Sequence, residues 1–120
     1  MRYISVFTHP PDPSSTGPSP EMMAKMGALV EEGMKAGWLI TTEGVHFGEE
    51  GQKGLKINKT GREISVVDGP FAEAKEVIGG YAILEAPNRE AIIELTRKFL
   101  AVAGDGTCEI HALYGTPARP

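Results

Sequence analysis

Asp68 closes the run Ile64-Ser65-Val66-Val67-Asp68, in which strand alternation gives Ile64, Val66 and Asp68 one face and Glu63, Ser65 and Val67 the other. A carboxylate that ends an apolar row tends to gain hydrogen bonds from the turn that follows or to titrate abnormally. The turn here is Asp68-Gly69-Pro70-Phe71, and two readings stand side by side. In one, Asp68 forms an Asx-turn and commits its carboxylate to the amides near Gly69 and Phe71. In the other, it is a general acid or base at the edge of a pocket. Glu73, Lys75 and Glu76 follow. They are either a solvated run of paired charges or the source of an acid that points back beside Asp68 and raises the pKa of one carboxyl. Gly79-Gly80 then opens a strand, where glycine admits a close backbone or ligand, or marks a bulge.

The three histidines are the other candidates for proton transfer. His9 ends an apolar strand, His46 lies in a glycine-rich connection, and His111 falls in the last strand. There it shares a face with Glu109 and Leu113, opposite Cys108, Ile110 and Ala112. A polar face opposite an apolar one suits a ligand pocket. Asp68, His46 and His111 are therefore the candidate catalytic residues; His9, Phe71, Glu73, Lys75, Glu76, Gly80 and Glu109 are candidate ligand contacts. No histidine has metal-ligand spacing such as His-x-His or His-x-x-x-His, so no metal site is expected. No cofactor is expected either. There is no Gly-x-Ser-x-Gly elbow and no Gly-x-x-x-x-Gly-Lys phosphate loop, and Gly104-Asp105-Gly106 precedes a strand instead of opening a helix. Cys108, a lone cysteine among apolar neighbours, reads as a structural thiol.

These residues need a scaffold, and the apolar periodicity supplies one. Residues 2–8 form a strand with Tyr3, Ser5, Phe7 and His9 on one side and Ile4 and Val6 on the other, followed by a proline-rich loop over 9–20. Ser19 caps a helix that starts at Pro20 and stops at Gly37, with Met22, Met23, Met26, Leu29, Val30 and Met34 as its buried stripe. Strands follow at Trp38–Thr42, at Leu55–Asn58 and Arg62–Asp68 around a Lys59-Thr60-Gly61 hairpin loop, and at Ile78–Glu85. Asn88 caps a second helix bearing Ile92, Leu95, Phe99 and Val102, and Cys108–Tyr114 is the last strand. The order predicts an α+β, ferredoxin-like sandwich with an inserted hairpin, its helices on one sheet face. Apolar residues on both faces of several strands imply a partner for the open face, most simply a second copy of the chain.

Composition narrows the function classes. With 120 residues the chain fits one domain, 1–120, with a frayed tail at 116–120. A net charge of −4 and twelve scattered basic residues argue against nucleic-acid binding. No apolar stretch is long enough to span a bilayer, and the opening residues lack a signal-peptide pattern, so a soluble cytoplasmic protein is expected.

The run Asp68-Gly69-Pro70-Phe71-Ala72-Glu73-Ala74-Lys75-Glu76, followed by Gly79-Gly80-Tyr81, resembles the signature of the DGPF group within the YCII-related family. The resemblance extends from the opening strand through Pro20–Gly37 to Cys108-Glu109-Ile110-His111. It implies a ferredoxin-like fold that dimerises sheet to sheet into an α/β barrel. Relatives in that wider superfamily include muconolactone-type isomerases, a dehydrochlorinase and small-molecule monooxygenases. The resemblance thus implies a homodimer and a cofactor-independent enzyme of lyase, isomerase or dehalogenase type acting on a small molecule. Of the His/Asp pair suggested as the site in some members, only Asp68 maps here. The closing strand of many relatives resembles Glu-Val-Arg-Pro, whereas this chain has Glu109-Ile110-His111-Ala112. Association of relatives with sigma-factor systems implies the alternative, a non-catalytic ligand-binding or regulatory module.

Overall fold

Arg2–His9 is rich in β-branched and aromatic residues and forms the central strand, β1, hydrogen-bonded along both edges. The computed structural model describes residues 1–10, 18–45, 54–68 and 77–114. In chain order β1 is followed by α1 (Pro20–Ala36), β2 (Leu39–Gly44), β3 (Leu55–Thr60), β4 (Glu63–Asp68), β5 (Val77–Glu85), α2 (Arg89–Ala103) and β6 (Thr107–Ala112). The main sheet is antiparallel with order β2-β5-β1-β6, and among the described residues β3 and β4 pair only with each other. This is the ferredoxin-like arrangement with an inserted hairpin that the order of elements predicts. The expected tail at 116–120 lies outside the described residues, as does most of the loop expected over 9–20; His9 itself belongs to β1.

Both helices begin and end where local chemistry requires. The Ser19 hydroxyl accepts from the Met22 amide at 3.1 Å, and the Asn88 side chain accepts from the Ala91 amide at 2.9 Å. Gly37, at φ 88°, closes α1 in the left-handed region and donates its amide to the Gly33 carbonyl. The helices cover the sheet face that carries Tyr3, Ala82, Leu84 and Ile110. There they enclose a core of Leu39, Leu84, Ala86 and Ile92, with Val30, Trp38 and Leu95 packed against it. Phe7 adds an edge-on contact to Phe99 of α2, ring centroids 5.2 Å apart.

Two expectations change. The stripe of α1 does not include Met23 and Met34, which are 61% and 50% exposed. Starting from Met22, they lie about 100–120° round the helix, past the face that turns inward. The centre of that face is Gly33, which is buried because Trp38 and Leu39 fold back onto it. The hairpin turn is also tighter than Lys59-Thr60-Gly61. Thr60 still pairs with Glu63, so the loop is Gly61-Arg62. Gly61 has φ 62° and Arg62 does not have positive φ, the pattern of a II′ hairpin turn with glycine in first place.

A Cβ on Gly33 would lie 2.8 Å from Leu39 Cβ and from the Trp38 ring. Alanine is the better helix former by about 1 kcal/mol, but the crowding falls on a Cβ and a large ring, neither of which yields easily. Gly33→Ala is therefore expected to lower stability by roughly 1–3 kcal/mol, read as a lower denaturant midpoint in urea unfolding. An unchanged or higher midpoint would show that Trp38 moves freely.

Candidate functional site

The face of the main sheet opposite the helices is built from two cross-strand rows. Antiparallel register sets Thr41 against Ile83, Ile83 against Ile4, and Ile4 against His111. The next row runs Glu43, Tyr81, Val6, Glu109. Residues directly opposite in neighbouring strands have Cβ atoms about 4.5–5.5 Å apart, so each row is a line of touching side chains. Ile4, Val6 and Ile83 are half-buried at the centre, and acids stand at both ends of the second row. The face is thus an apolar strip with proton-transfer groups at its margin.

His111 and Glu109 meet there. His111 Nε2 lies 2.8 Å from Glu109 Oε2, and the side chains are 65% and 74% exposed. A carboxylate only accepts, so Nε2 carries the proton, leaving Nδ1 as the acceptor in the neutral ring. A carboxylate held on one imidazole nitrogen fixes the tautomer and stabilises the imidazolium once the other nitrogen takes a proton. The shared face of Glu109 and His111 is what alternation predicts. The neighbours Thr41, Glu43 and Tyr81 were not among the expected site residues. Alternation alone could have placed Tyr81 with Ile83 opposite Ala82 and Leu84, but Glu43 needs the pairing of β2 with β5.

His9 is elsewhere. Strand β1 pairs with β6, yet His9 lies on the helix-covered face and Ile4 is the residue opposite His111. His9 Nδ1 lies 2.9 Å from the Pro10 carbonyl, and its ring tilts against Phe7 with centroids 5.7 Å apart. Gly79 is the extra residue of a β-bulge, since Phe7 pairs with Gly80 and Thr8 with Ile78. A Cβ on Gly79 would approach the His9 ring to 2.9 Å, and one on Gly80 would approach the Glu43 carbonyl to 2.8 Å. The glycine pair therefore serves close packing of chain on chain.

Asp68 ends β4 opposite Leu55, on the face that carries Ile64 and Val66, and it is exposed. It forms no side-chain hydrogen bond or ion pair with another described residue. His46, Phe71, Glu73, Lys75 and Glu76 lie outside the described residues, and so do the amides an Asx-turn would use. Among the described residues no group of three or more His, Cys, Asp or Glu could hold a metal ion. Among them, too, no helix is long and apolar enough to cross a membrane.

The chain matches the family model of the YCII-related domain over residues 1–113. It belongs to the YCII-related family. No curated protein matches it. Membership agrees with the fold.

Cys108 lies on the helix-covered side of β6, opposite Phe7. Burial pushes its thiol pKa up, and a hydrogen bond with Ser5 partly offsets the rise. A raised pKa means less thiolate at any pH below it, hence slower alkylation. Native protein at pH 8 is expected to react with iodoacetamide more slowly than it does unfolded in guanidinium, and Ser5→Ala should slow the native reaction further. Equal native and unfolded rates would contradict this placement.

Proposed function

We propose that this YCII-related protein is a cofactor-independent acid–base enzyme whose pocket forms between the uncovered sheet faces of two copies. The observation that carries this is the His111–Glu109 contact beside the Ile4, Val6 and Ile83 strip. In one chain the pair stands in water, where such a contact is worth at most about 1 kcal/mol. A second copy laid on the same face, related by a two-fold axis, would remove water from the apolar strip and from the pair together.

The chemistry is proton abstraction next to a carbonyl. His111 Nδ1 takes the proton from the α-carbon, Glu109 holds the Nε2 proton and stabilises the imidazolium, and electrons move into the enolate. Returning that proton to another carbon gives isomerisation. Expelling a group from the β-carbon, halide included, gives a lyase or dehalogenase, with His111 left protonated until it releases the proton to solvent. Apolar contacts on Ile4, Val6 and Ile83 select a small, largely hydrocarbon substrate. Asp68 keeps a distinct place as the competing base.

The test uses a panel of small ketones, unsaturated lactones and β-halo acids in D2O, followed by NMR for α-proton exchange and elimination. At least one compound is expected to react about 100-fold or more faster than in buffer, a typical contribution of a placed base. His111→Gln should abolish that rate, Glu109→Gln should reduce it, and Asp68→Asn should preserve it. Loss of rate in Asp68→Asn with His111→Gln unaffected would assign the base to Asp68. Saturable binding of panel members with no exchange or elimination would make the protein a ligand-binding module instead.

A further inference from the structure

Strands β3 and β4 form a ribbon with one apolar face. Leu55, Ile57, Ile64 and Val66 share it, and they are 54%, 63%, 65% and 60% exposed. The reverse face carries Lys56, Asn58, Thr60, Glu63 and Ser65 with Val67. Such alternation belongs to a ribbon half-buried in its working state, and a two-stranded hairpin alone is marginal in water. Among the described residues nothing covers the apolar face.

Its charges indicate what does. Lys59 stands at the turn end of this face, opposite Ile64, and Asp68 stands at the other end, opposite Leu55. The Lys59 ammonium donates to the Gly61 carbonyl, which leaves it two further protons to donate. We infer that a second copy of this chain covers the face, the two hairpins stacking with their long axes reversed about a two-fold axis that runs across the strands. That arrangement lays Ile57 over Ile57 and Val66 over Val66, and it brings each Lys59 to the partner's Leu55–Asp68 end. The same-direction stacking instead gathers both lysines at one end and both aspartates at the other, which like-charge repulsion disfavours.

Size sets the context. Four side chains losing roughly 100 Å² each give about 800 Å² over both copies, short of the ~1,000 Å² expected of a free-standing interface. The contact therefore rests on the sheet-to-sheet association proposed above and extends it, either within that dimer or between two such dimers.

The experiment is proximity cross-linking in a Cys108→Ser background. Ile57→Cys, treated with a bismaleimide whose spacer is about 10 Å, the spacing of stacked sheets, should yield covalent dimer in most of the protein. Lys59→Glu in the same background is expected to cut the yield several-fold, and Lys59→Glu with Asp68→Lys to restore it. Sedimentation equilibrium on uncross-linked protein reports the underlying assembly. A sedimenting dimer with no cross-link overturns the hairpin contact and leaves the sheet dimer standing. A monomer in sedimentation overturns both. Cross-linking indifferent to the charge reversals overturns the reversed stacking.

Discussion

Hydrogen bonding of β1 along both of its edges is the constraint on which the rest of the molecule depends. Pairing with β5 on one side and β6 on the other fixes which residues stand beside Ile4 and Val6, and a shift of one residue would exchange the two faces entirely. With this register, Tyr3, Ser5 and Phe7 meet the helices, where Leu84 and Ile92 are buried and Phe7 touches Phe99. With the same register, Ile4 and Val6 meet His111 and Glu109 on the other side. The core and the candidate site are thus two outcomes of a single ladder. A substitution that disturbs the ladder disturbs both.

The two faces divide the work differently. On the helix side, apolar groups exclude water and hold polar groups such as Ser5 and Cys108 close together, so ionisation is discouraged there. On the other side, histidine and carboxylate remain in contact with solvent and free to exchange protons. A group able to change its charge at low cost must sit where water or a substrate can reach it, and only the second face meets that condition within one chain. The same division separates the histidines: His9 is lodged against Phe7 and Gly79, whereas His111 is accessible beside its carboxylate.

Local chemistry made much of this legible. The caps at Ser19 and Asn88, the face shared by Ile64, Val66 and Asp68, and that shared by Glu109 and His111 all follow from nearest-neighbour rules of helix and strand. What local rules cannot supply is register between distant strands. Glu43 joins the candidate site only because β2 pairs with β5, and Gly79 becomes a bulge only because Phe7 skips to Gly80. Met23 and Met34 satisfy an apolar stripe as residue types but miss its angle, while Gly33, which carries no hydrophobic signal, holds the centre. The motif from Asp68 to Glu76 resembles a family signature, and the match over residues 1–113 shows the family, but a linear pattern does not name the neighbours of Asp68.

The strand order has a consequence for synthesis. β1 is made before both of its partners, which begin at Val77 and Thr107. Until they emerge, an apolar strand with both edges unsatisfied must wait, exposed to pairing with other nascent chains. Its contacts are nearly all distant in sequence, which slows closure of the sheet. Helix α1 can form early but finds no completed surface to rest on. A truncation before β5 would therefore leave β1 without either partner and release a sticky fragment rather than a smaller folded protein.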